Sequence, residues 1–356
     1  MTAFINGTGN ISPQKTWDNI RFPEEIIGIT ANGLRCQEPA DYEKFIDPKL
    51  LRRMSRIIRM SYTAARICLE DAGITVPDAI ITGSGMGCLE DTERFLSAIY
   101  QNDEKLLPPT PFIQSTHNTI GAQIALMLQC TNYNMTYSQR GISFENALTD
   151  AFMLLNEPEY KNVLVGGFDE MTDNQMILYN RLGYYKKEPV SGMNLIRSGT
   201  AGTAAGEGNT FFVLSSQQSE NCYAIIRDVM TISQATDESF VKDRMLEFLR
   251  ENRIPAKEID LCIGGFSGDV NSDLIYHKVF NDLFPDSAIA GFKHLCGEYH
   301  TASAFAVWLA AKILKHNEIP PAVLLKPAPV RTIKNILIWN HYRNQSDSMI
   351  LLSACC

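Results

Sequence analysis

The sequence predicts an α/β fold, and three observations carry that prediction. Short strand-forming runs alternate with helical stretches from one end of the chain to the other, a pattern that builds parallel sheets covered by helices. The 356 residues, 45% hydrophobic and 20% charged, suffice for a large core, as one big domain or as two fused halves. No low-complexity linker divides the chain, so an amino-terminal half over residues 1–217 and a carboxy-terminal half over residues 218–356 are expected to pack as one compact unit.

Residues 4–13, FINGTGNISP, read as a short strand ending in glycines and a proline. Residues 50–73 have the apolar spacing of one long amphipathic helix stopped by Gly73, with Arg52, Arg56 and Arg59 at i, i+4 and i+7 on one face. Such a basic stripe suits a solvated face with intrahelical ion pairs or an acidic docking partner. Residues 78–85 read as strand and run into Gly83-Ser84-Gly85-Met86-Gly87. That spacing matches neither a dinucleotide fingerprint nor a phosphate loop, which needs a Lys-Ser/Thr, so it reads as a tight strand-to-helix turn. Helix follows over 89–102, then a loop marked by Pro108, Pro109 and Pro111, then helix over 115–129. His117 in that last stretch is a candidate base, with capping or a hydrogen-bonded core position as the alternative.

Residues 135–155 are the organising stretch. Met135, Thr136 and Tyr137 suit a strand, the turn Ser138-Gln139-Arg140-Gly141 follows, and Phe144, Ala147, Leu148, Ala151 and Leu155 recur at helical spacing. The unpaired N–H groups and positive dipole end of such a helix lower a thiol's pKa and can hold an oxyanion, which makes this turn the place to look for chemistry. An apolar strand containing Gly166 and Gly167 follows over 162–171, and another strand within 198–216. The second half alternates as strand 223–229, helix 240–251, strand 260–266, helix 273–284, strand 288–294 and helix 301–315, with final strands at 322–326, 336–339 and 349–354.

Bulk properties exclude several classes. A net charge of −8 argues against a general nucleic-acid binder, which needs a basic surface to neutralise phosphates. The most apolar helix, residues 301–314, falls short of the roughly 20 residues that cross a bilayer, and MTAFINGTGN has no basic stretch before an apolar run. No membrane span and no signal peptide are expected, and a cytoplasmic location is. The nine cysteines, at 36, 68, 88, 130, 222, 262, 296, 355 and 356, are odd in number and lack metal-ligand spacing, which reads as reduced thiols, no metal and no cofactor. Cys262 and Cys296 read as core thiols.

Several of these stretches, in order, resemble the β-ketoacyl-ACP synthases. The opening resembles VITGxGxxSP, residues 50–73 an RRM…AL.DAG helix, NVLVGGFDEM at 162–171 a VLAGGVDEM strand, and SGTAGTAAGEGNTFFVLSS at 198–216 a GEGAGVLVLE strand. Residues 135–155 resemble the nucleophile segment, VTVDTACSSSLVAL. The resemblance covers essentially the whole chain and implies the thiolase-like αβαβα layered fold, two similar halves with mainly parallel sheets.

In that family a Cys thiolate takes the acyl group, while two His side chains held by a Lys assist malonyl decarboxylation and the enolate oxyanion. Aligned on Ala147 and Leu148, Gly141 stands in the cysteine's place. The first histidine, in a pattern like VNAHGTST, is replaced by Gly265 in LCIGGFSGD. The second, in KSxxGHxxGAAG, is replaced by Glu298, while Lys293 and Gly297 are retained. The glycine-rich gate loop FGFGGxN becomes residues 340–346, beginning Asn340, His341, Tyr342 and Arg343.

The resemblance therefore implies a non-catalytic subunit of chain-length-factor type. It would pair as a heterodimer with an active ketosynthase in fatty acid or polyketide-type (aryl polyene or flexirubin-like) acyl chain synthesis, and Arg52, Arg56 and Arg59 would face an acyl carrier protein. Two alternatives stay open: an active acyltransferase or malonyl decarboxylase using Ser138, Ser143 or His300, and a scaffold without an acyl channel. Arg140 is expected either to pair with Glu298 across the old pocket or to cross the dimer seam.

Overall fold

A computed structural model describes residues 2–19, 22–23, 25–28, 33–188, 190, 192–234, 237–329 and 332–355. Strands β1 (Ala3–Ile11), β2 (Ala79–Gly83), β3 (Tyr133–Tyr137), β4 (Asn162–Asp169) and β5 (Gly208–Ser215) belong to the first half. Strands β6 (Ala224–Ser233), β7 (Leu261–Gly264), β8 (Ala288–Gly291), β9 (Leu324–Lys326), β10 (Asn335–Tyr342) and β11 (Ser346–Ser353) belong to the second. Among the described residues they form one hydrogen-bonded sheet in the order β3-β2-β4-β5-β1-β6-β11-β10-β7-β8-β9.

That order contains a repeat. Read from its outer edge, the first half runs third, second, fourth, fifth, first; the second half repeats the same order, with β9 added outside β8. The pairings repeat too. β2 is parallel to β3 and β4, as β7 is to β8 and β10, while β5 lies antiparallel between β4 and β1, as β11 does between β10 and β6. The halves join through the antiparallel β1–β6 pairing. Each half is thus mixed rather than mainly parallel, because its last strand returns to its first beside the parallel core, and β9 adds a further antiparallel pairing to the second half.

The helices are α1 (Pro48–Leu51), α2 (Arg56–Asp71), α3 (Leu89–Gln101), α4 (Pro109–Gln114), α5 (Thr119–Leu128), α6 (Ser143–Leu154), α7 (Asp173–Arg181), α8 (Met193–Ile196), α9 (Glu238–Glu251), α10 (Val270–Leu283), α11 (Lys293–Cys296) and α12 (Ala302–His316). Strand alternation sorts them into layers. Ile81, Val163, Phe212, Ile263, Ile336 and Ile350 face a shared core with α6 and α12, whereas Ile80, Leu164 and Phe211 turn to α2 and α5. Cys262, Leu337 and Leu351 turn to α9 and α10. The layers are α2 and α5, one half-sheet, α6 and α12, the other half-sheet, then α9 and α10. In α12 every residue from Ala302 to Leu314 is buried, as a helix between two sheets requires.

Three expectations are corrected. The helix foreseen over 50–73 breaks after Leu51 and restarts at Arg56, with Asp47 capping α1 and extended Ser55 preceding α2. Of its supposed stripe, Arg52 is exposed and Arg59 lies over the Tyr42 ring. Arg56 turns inward to Glu38 and to both oxygens of the buried Glu207. The proline loop carries α4, which shortens the following helix to Thr119–Leu128 and leaves His117 exposed before it. Finally, Cys222 and Cys355 are disulfide-bonded, whereas Cys36, Cys68, Cys88, Cys130, Cys262 and Cys296 are free and buried. Register explains the pair: Ser353 lies opposite Ile225, so Cys355 beyond one strand end meets Cys222 before the other. Cys356 lies outside the described residues.

Candidate functional site

The turn after β3 forms as one turn of 3-10 helix, Arg140–Ile142, that runs into α6. The Ser143 hydroxyl donates to the Arg140 carbonyl and accepts from the Gln139 N–H, so it ties the turn together. Arg140 adopts a left-handed φ of +51°, and its side chain is exposed. Ser138 is exposed as well.

Gly141 is buried, and its glycine identity has a steric cause. A Cβ there would lie 2.4 Å from Cγ of Tyr342, closer than carbon atoms approach. At Gly265 a Cβ would lie 2.5 Å from Oδ1 of Asn340, 2.7 Å from the Tyr276 hydroxyl and 3.2 Å from Cε of Lys293. The space beside Gly141 and Gly265 is therefore filled from a single strand. Asn340 and Tyr342 are alternate residues of β10 and share a face.

Glu298 is 3% exposed, and its carboxylate accepts a 2.8 Å hydrogen bond from Nζ of Lys293, which is itself fully buried. A buried ammonium needs an opposite charge, and Glu298 supplies it where a neutral histidine would not. The foreseen pairing of Arg140 with Glu298 is overturned: Lys293 is the partner, and Arg140 stays at the surface.

His300 comes inward, as a slipped register would bring it. It packs so closely under the glycine turn that a Cβ at Gly85 would lie 2.1 Å from its ring. Burial lowers its pKa, so the ring is neutral at pH 7. Its Nδ1 is 4.0 Å from Oδ1 of Asp169, beyond hydrogen-bond reach. Asp169 instead accepts from the Gly85 N–H and Ser84 hydroxyl with one oxygen and from the Thr301 N–H and hydroxyl with the other. It anchors the start of α12 to the glycine turn, which is the tight strand-to-helix turn the spacing predicts. Next to it, burial pushes the Glu170 carboxyl up to about 8.

A lid closes the group. The guanidinium of Arg343 lies 4.4 Å from the ring centroid of Tyr184, 4.9 Å from that of Tyr179 and 5.4 Å from that of Tyr342. Beneath it, the cleft lined by Asp169, Glu298, His300 and Tyr342 has a volume of about 10 Å³, room for one water molecule and not for an acyl chain. Among the described residues, no group of three His, Cys, Asp or Glu side chains could hold a metal ion. No helix among them is long and apolar enough to cross a membrane.

Of the residues singled out in the sequence, Glu298 and His300 line the small cleft, Lys293 bonds to Glu298, Gly141 lies against Tyr342, and Gly265 lies against Asn340 and Lys293. Sequence reading named Asn340, Tyr342 and Arg343 as the gate-loop counterpart but did not foresee Tyr342 against Gly141, Asn340 against Gly265, or Arg343 over Tyr179 and Tyr184. One signal was available: Asn340 and Tyr342 stand two apart in a strand-forming run where the gate loop was expected to be glycine-rich.

Comparison with known proteins agrees with this geometry. A family profile described as "Beta-ketoacyl synthase, N-terminal domain" matches residues 31–222, more than half of the chain. No curated protein matches the sequence. Among solved structures, the ishigamide ketosynthase/chain length factor superposes with a TM-score of 0.80 at 18% identity, covering 100% of this chain and 99% of that one. A β-ketoacyl synthase from Burkholderia phymatum STM815 follows with 0.77 at 15% identity, covering 99% of each chain. A type II polyketide synthase acyl-carrier protein in complex with its ketosynthase gives 0.74 at 14%, again covering 99% of each chain. The structural matches establish the thiolase-like ketosynthase fold, and with the profile over residues 31–222 they place the chain in the β-ketoacyl synthase family, to which it belongs.

Proposed function

We propose that this chain is a non-catalytic β-ketoacyl synthase-like subunit of chain-length-factor type. In the cytoplasm it pairs with an active ketosynthase that elongates acyl chains held on an acyl carrier protein. The observation that carries the reading is the Tyr342 ring in the space beside Gly141, where the family's nucleophile would project. The Lys293–Glu298 ion pair supports it, because a carboxylate neutralised by a buried lysine cannot do the work of an imidazole at that position. Ser143 does not stand in as a nucleophile, since its hydroxyl is engaged in the turn.

Pairing is supported by the sheet edge. β3 is the outer strand of the first half, and an unpaired strand edge is a template for association. Leu126 on α5, Met135 on β3 and Met153 on α6 are 70%, 40% and 64% exposed around it. With the basic stripe dissolved into Arg56's internal bonds, carrier-protein contacts on this chain would rest on Arg52 and its neighbours, while the acyl group goes to the partner's cysteine.

Co-expression with a candidate ketosynthase from the same source that retains the cysteine and both histidines tests the pairing. A one-to-one complex by light scattering is the expected result. A stable monomer at micromolar concentration, with the synthase purifying separately, contradicts it.

A further inference from the structure

The β10–β11 hairpin that carries the lid turns on the three residues between the paired Tyr342 and Ser346. Arg343 and Asn344 both have left-handed φ values, +49° and +53°, and the Gln345 N–H bonds to the Tyr342 carbonyl at 2.8 Å. His341 precedes them, buried, with its side chain on the opposite face of the strand from Asn340 and Tyr342. Both of its ring nitrogens meet oxygen atoms: Nδ1 lies 2.9 Å from Oδ1 of Asp347, and Nε2 lies 2.5 Å from Oδ1 of Asn344. With the Asn344 amide oxygen towards the ring, a neutral imidazole, which has one N–H and one lone pair, satisfies one of the two acceptors, and the doubly protonated ring satisfies both.

The groups facing this ring come from three elements. Asp347 of β11 favours the cation and also accepts from the Trp339 indole N–H at 2.7 Å. Lys293 of α11 opposes it, and Tyr276 of α10 accepts the His341 backbone N–H at 2.6 Å. Burial by itself lowers the histidine's pKa, yet the bonds to Asp347 and Asn344 outweigh burial and Lys293, and the pKa is raised.

We infer that protonated His341 is a latch: it holds Asn344, and so the turn that presents Arg343 to the tyrosines, and its deprotonation loosens the lid over the cleft. The sign follows from linkage. A group whose folded pKa is raised stabilises the folded arrangement fully below its unfolded value, about 6.5 for histidine, and loses that contribution as pH climbs through the folded value. The lid is therefore closed in mild acid and loosens at alkaline pH.

Amide hydrogen exchange of residues 342–345 in the full chain, corrected for the intrinsic pH dependence of exchange, tests the latch. Protection at the Gln345 amide should fall at least tenfold between pH 6 and pH 9. Asn344→Gly keeps the left-handed turn and removes the acceptor, so its protection should be low and independent of pH. Asn344→Asp should move the midpoint to higher pH. Wild-type protection that agrees within twofold at pH 6 and pH 9, or a midpoint that Asn344→Asp leaves unmoved, overturns the latch.

Discussion

The two halves share one strand order, and they differ at corresponding places. β3 and β8 are third strands of their halves; β3 is left bare at the sheet edge, while β8 is covered by β9. The helices that follow differ as well. The turn into α6 leaves Ser138, Gln139 and Arg140 exposed, whereas residues 293–300, leading into α12, are buried to the last side chain. One topology has thus been finished in two ways. The carboxy-terminal half buries its helix entry around the Lys293–Glu298 ion pair, and the amino-terminal half keeps an open edge with apolar residues around it. Mutations in the first should change stability, and mutations in the second should change assembly.

The largest effect is expected from Glu298→Ala. It leaves Lys293 buried without its counter-charge and should destabilise the chain by about 3–5 kcal/mol, whereas replacing both residues with apolar side chains of similar volume should cost less. Urea unfolding of the three proteins measures it. A cost under about 1 kcal/mol for Glu298→Ala breaks the contrast between the halves, since that loss is ordinary for a surface site.

Most of the layered fold was legible because strand and helix periods recur so regularly; Ile80 facing out and Ile81 facing in is visible as soon as β2 is recognised. The break between Leu51 and Arg56 was not, because apolar spacing runs through it and only the distant Glu207 pulls Arg56 inward. At the site, Gly141, Gly265 and Glu298 stood out because each sits in a frame that resembles a family motif. Their contacts could not be read. Tyr342 meets Gly141 across 201 residues of chain, and no local pattern announces such a meeting. Pairing with Glu298, one of the two expectations for Arg140, followed from charge and aligned position, and Lys293, five residues from Glu298, is the nearer partner.

A second expected effect is on the pH dependence of stability. Burial lowers the His294 pKa to about 4, with the ring bonded to the Ala322 carbonyl. A folded pKa below the unfolded value of about 6.5 means that the unfolded chain binds the proton first. Stability should fall by about 3 kcal/mol as pH drops from about 6.5 to about 4. His294→Gln should flatten that part of the curve, and an unchanged slope would show that the carboxy-terminal half's burial is not what sets it.

Next in size is Gly141→Cys, which drives a Cβ against the Tyr342 ring and should cost about 1–3 kcal/mol. Tyr342→Ala should recover part of this, with a coupling of at least about 0.5 kcal/mol in a double-mutant cycle. Additive effects would mean that the ring does not occupy the vacated space.

Smaller still for the isolated chain, Met135→Asp on β3 should change stability by no more than about 0.5 kcal/mol yet weaken the complex with the ketosynthase tenfold or more by light scattering. Equal affinity for wild type and variant would move the seam away from this edge.

The account rests on this chain having no acyl acceptor of its own, and intact-mass measurement after incubation with an acyl-carrier-protein thioester tests that most directly, for the chain alone and in complex with the ketosynthase. The expected spectrum shows this chain at its unmodified mass in both samples and the acyl mass on the ketosynthase's cysteine. An acyl adduct on this chain, mapped to Ser138, Ser143 or any residue between them, would contradict the account.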